Sequence, residues 1–177
     1  MNEVSLARID ALIIDGVVDL LQAHGVGVTT AGFCNDDIDD PFAASIGFSS
    51  EHLRGVLVLI LERPLAVRSL PNFKQGTVPD NTIIADWTGE LANQLLGRLK
   101  NGLHSYGLDI SLGTPTVFAG RGLSHFAHKS PVYRCLAFKN EYRCLAAFQA
   151  DYSPGFELEE KAKDDGSALA EGEVLFF

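Results

Sequence analysis

The sequence predicts an α/β domain in which helices and strands segregate (α+β), and three observations lead to that prediction. Residues 3–23 and 83–104 repeat apolar side chains at helical spacing. Short apolar runs of strand length, bounded by turn residues, lie between and after them. Two of those runs, Val132 to Phe138 and Tyr142 to Ala150, are separated only by Lys139-Asn140-Glu141, as in an antiparallel hairpin.

In chain order, the first helix spans residues 3–23. Val4, Leu6, Ile9, Leu12, Ile13, Val17, Leu20 and Leu21 recur on it, and Gly25 can end it in a left-handed conformation. Val26 to Phe33 reads as a strand rich in Val and Thr. Asn35 to Pro41 reads as a solvated acidic loop, because Asp36-Asp37-Ile38-Asp39-Asp40 lacks the alternation, central Gly and closing Glu of a calcium loop. Ala43 to Phe48 and Gly55 to Glu62 are two strands joined by the polar turn Ser49-Ser50-Glu51-His52. The second is apolar almost throughout, which predicts cover on both faces. Pro64 suits the first turn of a short helix, Pro64 to Leu70, and Pro71 to Asp80 is a loop.

Asp80 or Asn81 caps the next helix, which runs to about Tyr106 and stops at Gly107. Ile110 to Ala119 is a strand interrupted by Gly113 and Pro115, so it must bulge or lie on an edge. The hairpin at 132–150 is the candidate sheet edge. The boundary is drawn after residue 153: 1–153 form the domain, and 154–177 an acidic, mobile tail. Its last four residues, Val174-Leu175-Phe176-Phe177, are apolar and need cover, from this domain or from a partner.

The chain has 177 residues, 46% hydrophobic and 21% charged, enough for one domain with a sizeable core. A formal charge of -9 argues against nucleic acid and anionic membrane as partners, since both carry phosphate. No run approaches the roughly 20 apolar residues of a membrane span, and the N-terminus lacks the pattern of a secretory signal. Cys34, Cys135 and Cys144, an odd number without Cys-x-x-Cys spacing, fit buried reduced thiols in the cytoplasm. His125 and His128 have ligand-like spacing but no indicated third ligand, so no metal site is expected. Ala119-Gly120-Arg121-Gly122 is not a phosphate loop.

The helix over 83–104 carries the functional reading. At 100° per residue, Ile84, Thr88, Ala92, Leu95, Leu99 and Leu103 fall on one side, which belongs in the core. Asp86, Glu90, Asn93, Gln94, Gly97 and Asn101 fall on the other. Glu90 and Asn93 stand one turn apart and project from one surface. A polar face is what any amphipathic helix needs. Asn93 and Gly97 are nevertheless poor helix formers, with Gly costing roughly 1 kcal/mol against Ala. Their presence indicates a flat place where another backbone comes close.

The stretch Asp86-Trp87-Thr88-Gly89-Glu90-Leu91-Ala92-Asn93-Gln94-Leu95-Leu96-Gly97 resembles the signature helix of the CheC/CheX-type chemotaxis phosphatases. That pattern has an acidic or Ser residue, Glu four on, Asn three further, and often Gly after it. Downstream, Gly113-Thr114-Pro115-Thr116-Val117-Phe118-Ala119-Gly120 resembles the family's Pro-containing strand, with Thr114 where Ser or Pro is typical. The element order fits over about residues 3–152. A single Glu-x-x-Asn makes the chain more similar to CheX than to CheC, which usually carries two such helices.

The resemblance implies a CheC-like fold, a mainly antiparallel sheet packed against the long signature helix and the N-terminal helix. It implies hydrolysis of the phospho-aspartate of a CheY-like response-regulator receiver domain. Asn93 would orient the attacking water through its amide oxygen, and Glu90 would bind the receiver's active-site Lys. Asp86, Gln94 and Gly97 would line the partner-binding surface. Mg²⁺ would sit in the receiver's pocket rather than on this chain. The resemblance also implies a homodimer. The rival reading keeps the fold as a non-catalytic adaptor or dimeric binding module. A third, a small-ligand sensor, requires an enclosed apolar pocket.

Overall fold

The computed structural model describes residues 1–28, 30–33, 38, 40–71, 78–120, 132–139 and 142–159, with 30–33 and 132–139 described by their backbone. The expected histidines 125 and 128, most of the acidic loop and the apolar C-terminus therefore lie outside the described residues.

The first helix, α1, spans Glu3–Ala23. It starts where the Asn2 side chain accepts the Ser5 N–H at 2.8 Å, satisfying one donor that the first turn leaves unpaired. It ends at Gly25, whose φ is 74°. There the Gly25 N–H bonds the Gln22 carbonyl at 3.0 Å and the Val26 N–H bonds the Leu21 carbonyl at 2.9 Å. This pair of bonds closes the helix only because glycine tolerates the left-handed backbone. It also moves the next strand: Val26 caps the helix and is buried in the core, and strand β1 covers Thr30–Phe33 rather than starting at Val26.

Strands β2 (Pro41–Ser49) and β3 (Leu53–Glu62) form the expected hairpin, closed by the Ser50 N–H on the Leu53 carbonyl at 2.7 Å. A short helix, α2, follows over Arg63–Arg68 with a proline in its first turn. The long helix α3 spans Asn81–His104. Gly107, with φ 78°, ends the α-helical course. The interrupted strand is two pieces, β4 (Ser111–Leu112) and β5 (Thr116–Ala119), which both pair with the outer side of β2. Gly113 joins them through an N–H bond to the Gly47 carbonyl at 2.8 Å. The closing strands are β6 (Val132–Lys139) and β7 (Arg143–Tyr152).

Together these make one antiparallel, seven-stranded sheet in the order β1-β6-β7-β3-β2, with β4 and β5 beyond β2. The expected mixed architecture of helices on an antiparallel sheet is therefore observed. The edge assignment is not: β6 pairs with both β1 and β7, and β7 with both β6 and β3. The 132–150 hairpin is internal, because each of its strands has a further antiparallel neighbour. Among the described residues the edges are β1 on one side and β4 with β5 on the other.

Alternation along the strands sends Phe42, Ala44, Leu57, Leu59, Leu61, Ala146 and Phe148 into the main core with the apolar faces of α1 and α3. Ala43, Val58, Ile60, Leu145 and Ala147 form a second buried cluster with Ile38. Both faces of β3 are thus buried, as its unbroken apolar run predicts. Cys144 is buried as an apolar side chain. No described helix is long and apolar enough to cross a membrane.

The segment expected to begin the tail packs on the domain at its start. Leu158 is 1% exposed. Its N–H donates to Ser5 Oγ at 2.9 Å, and its carbonyl accepts from Arg8 Nη1. The packed chain thus reaches at least Leu158, past the boundary at 153. Leu158→Ala is expected to cost about 2–4 kcal/mol, seen as a lower urea midpoint. A midpoint equal to that of the wild type would show that this side chain adds nothing to the core.

Candidate functional site

Helix α3 begins with Asp80, which accepts the Thr82 N–H at 2.8 Å. That bond holds the Asp80 carboxyl below its ordinary range. The cap is therefore intact above the ordinary carboxylate range and is lost as pH falls through the lowered value. From there the helix lies over β2, β3 and β5. Ile84, Thr88, Leu91, Ala92, Leu95, Leu96, Leu99 and Leu103 are buried, and Thr88 returns its hydroxyl to the Ile84 carbonyl at 2.8 Å. The predicted inward face is therefore the observed one.

Helix α1 crosses behind α3 in the opposite direction. A side chain at Gly16 would meet Leu95 Cδ1 at 3.1 Å, and Leu12 fills the space a side chain at Gly102 would need. On the other flank Gly89 lets β5 close in: a Cβ there would lie 3.1 Å from Val117 and 3.9 Å from Pro115. Pro115, the start of β5 and the Glu90 turn of the helix are thus brought side by side by the absence of one methyl group.

The outward face carries Asp86, Glu90, Asn93 and Asn101, all exposed, with Gln94 and Gly97 half-buried. Space beside Gly97 is open, with nothing within 4 Å of where a Cβ would stand. Asn93 makes no side-chain hydrogen bond to any described residue, so its amide is available to solvent. Glu90 differs, because its Oε1 accepts from Gln94 Nε2 at 2.9 Å. Gln94 Oε1 in turn faces His24 Nε2 at 3.1 Å, and the His24 ring stands edge-on to Trp87 with centroids 4.9 Å apart. Trp87 donates its indole N–H to Ser69 Oγ at 3.0 Å. Sequence reasoning placed Gln94 on the partner surface, whereas its amide is engaged at both ends within the domain. It missed His24 and Trp87, and no local signal marks them, since helix α1 meets α3 only in the folded chain.

Two open clefts of about 590 and 270 Å³ lie at the β2–β3 turn and residues 151–159. Polar and charged residues, including Glu51, His52 and Glu157, line the larger cleft, and α3 contributes to neither. Neither is the enclosed apolar pocket that a small-ligand sensor requires. Among the described residues no group of His, Cys, Asp and Glu could hold a metal ion.

Searched against curated proteins, the sequence has no match. By structure, the chain is similar to the chemotaxis protein CheX of Vibrio vulnificus, with TM-score 0.67 and 20% identity over 79% of this chain and 97% of that one. A CheC-like superfamily protein of a Shewanella species gives TM-score 0.68 and 22% identity over 85% and 99%. The complex of CheX with CheY, BeF3 and Mg from Borrelia burgdorferi gives TM-score 0.62 and 13% identity over 82% and 97%. At these identities the likeness is one of fold. The family model described as "Chemotaxis phosphatase CheX" matches residues 42–136, which run from β2 through α3 and β5 into β6 and make up more than half of the sequence. With that match over the very elements that present Glu90 and Asn93, the chain belongs to the CheX family of chemotaxis phosphatases.

Proposed function

We propose that this chain hydrolyses the phospho-aspartate of a CheY-like receiver domain, using Asn93 and Glu90. The observation that carries the reading is the contrast on one helix face: Glu90 is held by a neighbour, while one turn on Asn93 is exposed and its amide makes no bond to the described residues. An orienting group for water must be open to it, and a docking group gains from being held. The structural relative from Borrelia is a complex with CheY, which supports a receiver as the partner.

In the proposed reaction a water oxygen attacks phosphorus in line with the bond to the aspartyl oxygen. That P–O bond breaks and the aspartate leaves as a carboxylate with the electron pair. The water protons end on inorganic phosphate and solvent. Asn93 Oδ1 accepts a hydrogen bond from the water and aligns its lone pair with phosphorus, a positioning role rather than that of a base. The Glu90 carboxylate meets the ammonium of the receiver's Lys and sets the register of the helix. Asp86 and Gly97 form the remainder of the proposed contact, Gly97 through its open flank. Mg²⁺ belongs to the partner's pocket in this proposal. The proposed setting is the cytoplasm, and a homodimer formed by strand pairing would use β1 or the β4 and β5 edge.

Phosphate release from a panel of phosphorylated receiver domains tests this. The wild type is expected to accelerate release from at least one receiver, and Glu90→Ala to raise KM for it about tenfold, the loss of one charge-assisted contact. Binding to a receiver without acceleration would establish the adaptor reading instead.

A further inference from the structure

Glu90, the proposed docking carboxylate, is held by Gln94 one turn on, and Gln94 is met in turn by a residue of another helix. Gln94 Nε2 donates to Glu90 Oε1 at 2.9 Å, and Gln94 Oε1 lies 3.1 Å from His24 Nε2. The direction of this chain is set by chemistry. A carboxylate only accepts, so the Gln94 NH₂ must face Glu90, its oxygen must face His24, and the proton must be on His24 Nε2. His24 is itself fixed twice. It is the C-cap of α1, locked by the glycine turn behind it, and its ring abuts Trp87 at 90°. Trp87 is tied to Ser69 at the end of α2, and Ser69 donates to the Ala66 carbonyl at 3.0 Å. Three helices thus converge on one exposed carboxylate.

We infer that His24 and Gln94 are positioning residues that restrict Glu90 to its receiver-docking rotamer, so that the end of α1 sets the affinity of the α3 face. This rests on the docking role proposed for Glu90. A free glutamate loses rotamer entropy each time it docks, and a bond made before docking removes part of that loss.

Two substitutions remove the bonds and keep the packing. Gln94→Met retains length and helix propensity without an amide. His24→Phe retains a ring against Trp87 without an N–H. Each is expected to weaken binding of the beryllofluoride-activated receiver about fivefold by calorimetry, the cost of ordering one side chain that the bond had already ordered. KM should rise in parallel while kcat stays unchanged, because Asn93 and the water are untouched. In a Glu90→Ala background Gln94→Met should have no further effect. An undiminished loss in that background, or no loss in the wild type, overturns the inference. A partner-free measurement separates it from the phosphatase reading. In the unbound protein, the Gln94 side-chain amide resonances should shift in His24→Phe and in Glu90→Ala. Resonances that stay in place in both variants show that the relay is not formed, whatever the receiver assay gives. A formed relay with Glu90→Ala binding as tightly as the wild type overturns the docking role instead, and with it the affinity claim.

Discussion

Asn93→Ala is expected to slow phosphate release from the phosphorylated receiver by about 100-fold or more, the loss that follows when a reacting water is no longer aligned. The folded state should not suffer. Asn93 is exposed, makes no hydrogen bond to a described residue and sits mid-helix, where Ala is the better helix former by roughly 0.5 kcal/mol. The variant should therefore melt at or slightly above the wild-type temperature and bind the receiver with similar affinity while leaving it phosphorylated. A kcat within twofold of wild type would sink the water-orienting role. Loss of activity accompanied by a lower melting temperature would point to structure instead. With the Glu90 variants, the outcomes are expected to divide into two classes, loss of kcat at Asn93 and a raised KM at Glu90 and its two proposed supports.

Gly55→Ala is expected to produce the largest change in stability. Gly55 lies in β3 opposite Ala150 of β7. A Cβ there would fall against the Gln149 carbonyl oxygen and stand 2.9 Å from the Ala150 Cα. Both are backbone atoms of the next strand, so no side chain can swing aside. The two central strands must part, with a cost of about 3 kcal/mol or more. Gly97→Ala is the matched control. Nothing lies within 4 Å of its Cβ position, so the helix should gain up to about 1 kcal/mol while the flat flank of the proposed docking face acquires a methyl group. Urea unfolding of both variants reads the pair. Equal midpoints would mean that β3 and β7 do not approach at Gly55 as described.

The two glycines show where a sequence can be read and where it cannot. Gly97 interrupts a helical pattern, so its cost and its outward position follow from the residues within one turn of it. Gly55 lies near the start of an apolar strand, and only Gln149 and Ala150 of the partner strand, 94 and 95 residues along the chain, make a side chain there intolerable. The same division holds across the domain. Periodicity alone located α1 and α3, their inward faces, the glycine stop after each, and Glu90 and Asn93 on one exposed surface, because each of those depends on neighbours a few residues away. The family resemblance rested on that local pattern together with the Pro115 segment and the order of elements, and the family match covers both motifs.

Strand order was not legible. A hairpin pattern identifies two strands and their turn, but each strand has a second edge, and what covers it is decided elsewhere. Here β1 and β3 cover both, turning an expected edge into the middle of the sheet. Composition made residues 154–177 an acidic tail, yet Leu158 is captured by Ser5 and Arg8, partners 153 and 150 positions away. Gln94 looked like one more polar residue on an exposed face until His24, 70 positions back, engaged its amide. The sequence by itself determined the two long helices, their buried faces and the pair of residues proposed for the chemistry, since the backbone period and the side chains that set them are local. Only the tertiary structure decided which strands are edges, where the packed chain stops and what holds Glu90, since each is a contact between segments that meet only after the loops between them close.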